Sequence, residues 1–171
     1  MIRLIVTDVD GVLTDGSILI DDNGVETKRF NVLDGSAVAH LRHVHIPVAI
    51  ITGRRSRATL WRARECQITE VHQGHRDKLR VLQEVCTRLD VPLDETAYIG
   101  DDLLDLAPLL AVGLACCPAD ARPEVQDRCQ VITRAKGGEG VLRDVAEFVL
   151  RQNGQWEGVL ARYLPTGAGE G

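Results

Sequence analysis

Short apolar runs alternate along the chain with longer stretches whose apolar residues recur every three to four positions. The runs at 2–7, 47–51, 69–72, 96–99, 112–115 and 129–132 are bounded by Gly, Pro, Asp or Asn, a pattern that predicts buried strands. Helical periodicity predicts helices over about 35–43, 56–65, 76–89, 102–110, 121–127 and 139–151. In the third of these, Leu79, Leu82, Cys86 and Leu89 share one face, with Val85 beside them; in the last, Val141, Leu142, Val145, Phe148 and Val149 do the same. Strands that lack a polar alternation and are each followed by a helix belong to a mostly parallel sheet covered by helices on both faces.

Two segments depart from this rhythm. Ser17-Ile18-Leu19-Ile20 and Val25-Glu26-Thr27-Lys28-Arg29-Phe30 flank Asp21-Asp22-Asn23-Gly24, and Asn-Gly between two strand-like runs predicts a hairpin, because both residues tolerate the positive φ of a tight turn. Placed at about 17–29, directly after the first strand, it either overhangs that strand's end or decorates the surface. From about Asn153 the chain becomes a glycine-rich tail, 153–171. Trp156 and the Val159-Leu160-Tyr163-Leu164 group are able to dock, whereas the closing Pro-Thr-Gly-Ala-Gly-Glu-Gly reads as flexible.

The 171 residues, 44% of them hydrophobic, suit one domain with a substantial core. A formal net charge of −5 argues against a nucleic-acid binder, whose footprint is a basic patch. No apolar run approaches the ~18 residues of a membrane span. The first residues enter a strand directly, without the pattern of a signal peptide. Five cysteines, none in CxxC spacing, read as free thiols of a reducing compartment, so a cytoplasmic location is expected. His40, His43 and His45 contain no pair four residues apart, so they read as surface or helix-terminal residues, not as metal ligands.

Candidate chemistry gathers at the predicted strand ends, which is where open parallel sheets bind ligands. Asp8 and Asp10 stand one residue apart after Ile2-Arg3-Leu4-Ile5-Val6. Two carboxylates so close repel unless a cation relieves them, although Asp and Gly are also ordinary turn residues. Ile50-Ile51 runs into Thr52-Gly53-Arg54-Arg55, where a hydroxyl, a glycine amide and two guanidinium groups suit an anionic substrate; a plain loop capped at Ser56 is the simpler alternative. Lys78 opens a helix, where a cation opposes the macrodipole unless an anion waits for it or water solvates it. Ala97-Tyr98-Ile99 leads into Gly100-Asp101-Asp102-Leu103-Leu104-Asp105, in which Asp101 offers oxygen to Mg²⁺, while Asp102 and Asp105 also suit a helix N-terminus.

These four groups, Asp8-Val9-Asp10-Gly11-Val12-Leu13-Thr14, Ile51-Thr52-Gly53-Arg54, Lys78 and Gly100-Asp101-Asp102-Leu103-Leu104-Asp105, resemble in order the four motifs of the haloacid dehalogenase superfamily. The likeness extends over about residues 1–152 as one phosphatase domain. Phe30-Asn31-Val32-Leu33-Asp34-Gly35, Gln73-Gly74 and Gly137-Gly138-Glu139-Gly140-Val141-Leu142-Arg143-Asp144 are similar to its sugar acid phosphatases that carry a short hairpin instead of a cap. The resemblance implies a Rossmann-like three-layer α/β sandwich, with Asp8 as nucleophile toward phosphorus and Asp10 as general acid and base. It implies Mg²⁺ held by the Asp8 carboxylate, the Asp10 backbone carbonyl and the Asp101 carboxylate. Thr52, the Gly53 amide and Lys78 would hold the phosphoryl oxygens, and Arg54 would meet the carboxylate of the sugar acid. The implied substrate is an eight-carbon sugar acid 8-phosphate of lipopolysaccharide precursor synthesis. A nine-carbon sugar acid 9-phosphate, or a non-catalytic assembly role, is the alternative. The resemblance also implies a homotetramer in which hairpin and tail reach a neighbour's site. A response-regulator receiver domain fits less well, because Lys78 precedes the second acidic cluster.

Overall fold

The computed structural model describes residues 1–164. Strand β1 (Leu4–Thr7) is followed by a hairpin of β2 (Leu19–Ile20) and β3 (Glu26–Thr27), paired antiparallel. The chain then alternates: α1 (Val32–His43), β4 (Val48–Thr52), α2 (Arg57–Glu65), β5 (Glu70–Gln73), α3 (Lys78–Leu89), β6 (Thr96–Ile99), α4 (Leu106–Ala111), β7 (Leu114–Cys117), α5 (Pro123–Gln126), β8 (Val131–Ile132), α6 (Val141–Gln152) and α7 (Trp156–Leu160). Six strands form one sheet in the order β5-β4-β1-β6-β7-β8, and every neighbouring pair is parallel. Succession runs outward from β1 on one side, then resumes at β6 on the other. The C-terminal ends of β4, β1 and β6 therefore flank a topological switch point.

The unbroken apolar runs are explained by burial on both faces. Ile5, Ile50, Ala97, Ile99 and Cys116 point into a core shared with α1 and α6. Their alternating neighbours Val6, Ala49, Ile51, Tyr98 and Cys117 point into a second core built on Val81, Leu82 and Val85 of α3. This is the expected α/β arrangement. Several boundaries move for local reasons. α1 starts at Val32, not at 35, because the Asn31 side chain caps it by accepting from the Leu33 amide at 2.9 Å. The helix predicted over 102–110 opens as a 3₁₀ turn, Leu103–Asp105, and continues as α4 to Ala111. β7 starts two residues later than expected, because the Gly113 amide donates to Leu93 O, outside the sheet.

The hairpin turn uses Asn-Gly differently from the expectation. Only Gly24 takes a positive φ, +76°, and its amide donates to Asp21 O at 2.9 Å. The Asp21 carboxylate accepts from the amides of Asn23 and Val25, so the loop is a turn followed by a glycine bulge.

The stretch from Asn153 is not all tail. Asn153 exchanges two hydrogen bonds with the backbone of Ile2, and Trp156 and Val159 of α7 are buried in the α1–α6 core. His40 is buried there too, contrary to its reading as a surface residue: it meets the Trp156 ring edge-on, and its Nε2 lies 3.1 Å from the Tyr163 hydroxyl. The closing residues 165–171 lie outside the described residues. No helix among the described residues is long and apolar enough to cross a membrane. Trp156→Ala should cost about 3 kcal/mol, the lower range for deleting a buried aromatic side chain, as read from the midpoint of urea unfolding; an unchanged midpoint would mean that α7 adds nothing to the fold.

Candidate active site

Asp8 emerges where β1 ends, and its amide still donates to Ile99 O at 2.9 Å, so the sheet ladder fixes its backbone. One carboxylate oxygen accepts from the Val9 amide at 2.7 Å. The other accepts from Lys78 Nζ, also at 2.7 Å. Lys78 is the first residue of α3, and the anions that wait for it are the protein's own: Asp105 accepts from the same ammonium at 2.7 Å. Asp105 is fully engaged. Its Oδ1 also accepts from the Tyr98 hydroxyl at 2.9 Å, and its Oδ2 faces the amides of Asp101 and Asp102.

Asp101 is left open. The carboxylates of Asp8, Asp101 and Asp105 each offer an oxygen within 4.8 Å of the others, but Asp101 Oδ1 is buried without a hydrogen-bond partner. Gly11, at φ +85°, makes room for it: a Cβ there would lie 2.0 Å from Asp101 Oδ2. Burial pushes the Asp8 carboxyl up to about 6, with Asp105 adding and Lys78 opposing. Burial, then Asp105 and Asp8, push Asp101 up to about 8. Burial opposes the Lys78 charge, yet Asp8 and Asp105 raise its pKa above the usual lysine value. With all three carboxylates ionised, one ammonium would leave two negative charges over, and without a cation Asp8 and Asp101 answer by holding their protons to higher pH. At an effective dielectric of 20, like charges ~4 Å apart repel by ~4 kcal/mol, more than one hydrogen bond returns. A divalent cation fits that deficit in charge, in donor type and in the open oxygen.

Asp10 belongs to a different network. One of its oxygens accepts from Lys28 Nζ, and the other lies 3.8 Å from Arg54 Nε. Arg54 Nη2 donates to Glu26 Oε2, while Glu26 Oε1 sits 3.2 Å from Lys28 Nζ. Glu26 belongs to β3 and Lys28 follows it, so the hairpin reaches its own protomer's site. Thr52 ends β4, two residues beyond the register partner of Thr7, and Gly53 follows, where a Cβ would meet nothing closer than 3.8 Å.

Asp8 and Lys78, and Asp10 and Arg54, thus lie in two adjoining ion-pair networks, with Asp101 unpaired beside the first and Thr52 and Gly53 at the neighbouring strand end. Sequence reasoning missed Glu26, Lys28 and Tyr98 and left Asp105 unassigned. Glu26 and Lys28 are two residues apart, which puts both on one side of a strand. Tyr98 lies within an apolar run, and a buried tyrosine hydroxyl needs a partner.

A parallel sheet with an acidic cluster and an ammonium at a buried aspartate is compatible with a haloacid dehalogenase-like hydrolase, and the profile of that family matches residues 61–144. The chain is 42% identical over 157 residues to the 3-deoxy-D-manno-octulosonate 8-phosphate phosphatase KdsC of Yersinia pestis, covering 92% of this chain and 84% of that one. It is 40% identical to KdsC of Escherichia coli K12, over 90% of this chain and 82% of the relative. Among solved structures, the Moraxella catarrhalis 3-deoxy-D-manno-octulosonate 8-phosphate phosphatase, in complex with magnesium ion, phosphate ion and KDO, superposes with a TM-score of 0.93 at 36% identity, covering 95% of this chain and 94% of that one. The chain belongs to this KdsC family of haloacid dehalogenase-like phosphatases.

Lys78→Met should leave Asp8 and Asp105 facing each other without a cation and destabilise the protein by ~3–5 kcal/mol in urea unfolding at neutral pH; unaltered stability would mean that the ammonium is not what holds the two acids together.

Proposed function

We propose that this protein is a Mg²⁺-dependent phosphomonoester hydrolase that removes the phosphate of 3-deoxy-D-manno-octulosonate 8-phosphate, a step of lipopolysaccharide precursor synthesis. The observation that carries the proposal is the buried Asp8 carboxylate, held by the Val9 amide and the Lys78 ammonium beside the open oxygen of Asp101. The Asp8 and Asp101 carboxylates and the Asp10 backbone carbonyl would hold Mg²⁺, which when bound neutralises charge between carboxylate and phosphate. Asp105 is excluded as a principal ligand because Lys78, Tyr98 and two amides already occupy its oxygens.

In the reaction, an Asp8 oxygen forms a bond to phosphorus while the bond from phosphorus to the sugar oxygen breaks, its electron pair leaving with that oxygen. Asp10 gives the departing oxygen a proton. Water then bonds to phosphorus, passing its proton to Asp10 as the Asp8–phosphorus bond breaks, so both carboxylates return to their starting state. Thr52, the Gly53 amide and Lys78 hold the transferring oxygens and stabilise the charge that builds on them. Arg54 meets the sugar carboxylate.

The apolar side chains Ile18, Leu19, Ile20 and Val25 are all exposed on the hairpin. They suit packing against another copy of the chain, in the reading that the protein is a homotetramer whose hairpin and tail meet a neighbour's site and would shield the reaction from water. Deleting residues 17–29 should lower the mass measured by light scattering and reduce turnover; a fully active monomer would overturn this role.

A phosphate-release screen over eight- and nine-carbon sugar acid phosphates and simple alkyl phosphates should give the highest kcat/KM on the eight-carbon substrate, and a preference for the nine-carbon acid would reassign the substrate. Asp8→Asn should abolish turnover with the fold intact, so wild-type rates from that variant would remove Asp8 as nucleophile. Metal dependence has a signature apart from activity. Asp8 and Asp101 have folded pKa values, about 6 and about 8, above the ordinary 3.8, so the native state holds protons that the unfolded chain has released. Without metal, their contribution to stability is greatest below about pH 4 and is lost as pH rises toward 8. Added Mg²⁺ should therefore raise Tm more at pH 8 than at pH 5.5; an equal shift at both values would mean that the cation binds elsewhere.

A further inference from the structure

Arg54 is the group proposed to meet the substrate carboxylate, yet its side chain is 45% exposed. An arginine so exposed gains little from any one ion pair and pays side-chain entropy to hold one geometry. Its neighbours are more constrained. Glu26 is 19% exposed, and the Lys28 side chain between Glu26 and Asp10 is 1% exposed. Lys28 is therefore a fixed cation. It pins Glu26 on one side and Asp10 on the other, and Glu26 in turn takes the Arg54 Nη2 donor.

The alternative position for Arg54 is plain from the distances. Its Nε already lies 3.8 Å from Asp10 Oδ2. With no competing acceptor, the guanidinium has within reach Asp10 Oδ2, the oxygen that Lys28 does not take, and can close on it as an ion pair. That would cover Asp10 and spend the donors that a ligand carboxylate needs. A guanidinium has five N–H donors in a fixed fork, so holding one prong on Glu26 sets the direction of the rest.

We propose that Glu26 is a specificity-determining positioning residue: the hairpin delivers it to hold Arg54 off Asp10 and aimed at the carboxylate of the sugar acid. The inference rests on the reading of Arg54 as the carboxylate partner and adds the residue that makes the arginine competent for it. Among the described residues Glu26 pairs with Arg54 and Lys28 and not with Asp8 or Lys78. Its effect is confined to ligands that carry a carboxylate, and this separates positioning from a general loosening of the site.

The test compares the two products of the proposed reaction as inhibitors of the full-length enzyme: the free eight-carbon sugar acid, which carries the carboxylate, and inorganic phosphate, which does not. Glu26→Ala should weaken the sugar acid by ~10-fold, the loss of one charge-assisted contact, and leave phosphate within ~2-fold. Glu26→Gln, which keeps an acceptor for Arg54 and loses the charge, should fall between Glu26→Ala and the wild type. Arg54→Ala should weaken the sugar acid at least as much as Glu26→Ala. Equal weakening of both inhibitors by Glu26→Ala, or no change in the sugar acid while Arg54→Ala weakens it, would overturn the role of Glu26 alone. If Arg54→Ala leaves the sugar acid unaffected, the underlying reading of Arg54 fails instead, and the two failures are told apart.

Discussion

The ammonium of Lys78 reaches from the first turn of α3 into a recess where Asp8 and Asp105 each accept from it at 2.7 Å, and the arrangement at the sheet's C-terminal edge follows from that bridge. Without it, two fully or nearly buried carboxylates would face each other with no counter-charge. With it, Asp105 becomes a strut. Tyr98 from β6, two backbone amides and Lys78 all converge on its carboxylate, so the strut transmits the position of the sheet to the ammonium and from there to Asp8. The macrodipole argues against a cation at a helix start; here a local rule gives way to a tertiary contact.

Asp8 and Asp10, one residue apart in the chain, are handed to different partners. Asp8 faces inward to groups carried by the sheet and α3, all of them buried. Asp10 faces the hairpin, where Lys28, Glu26 and Arg54 alternate in sign around it. The inner set holds its carboxylate rigidly among buried groups, whereas the outer set includes an arginine that is 45% exposed.

The sheet, the helices and five of the site's charged residues were legible in the sequence because each depends on local patterning. β1, β4 and β6 are apolar on both faces, and their ends carry Asp8, Thr52 and Asp101. What escaped depends on distance. Lys28 carries no mark that sets it apart from Arg29, until the hairpin folds back and buries only the lysine. Tyr98 looks like one more core residue, and only the fold brings Asp105 to its hydroxyl. His40 looked like a helix-terminal surface residue, because the α7 segment that covers it lies more than a hundred positions further on. The Asn-Gly pair identified the hairpin, but Asp21 had already committed the turn to a glycine bulge through its own side-chain bonds.

The residues that meet at Lys78 are 70 and 27 positions away from it in the chain. No fragment ending before Asp105 contains them all, and no single βα unit holds more than one strand end of the recess. Catalysis in this fold is therefore a long-range property, in the sense in which contact order governs folding. The recess exists only where β1, β5 and β6 have all taken their places in one sheet, whereas each helix needs only its own segment of chain, so turnover counts assembled sheets in a way that helical content does not.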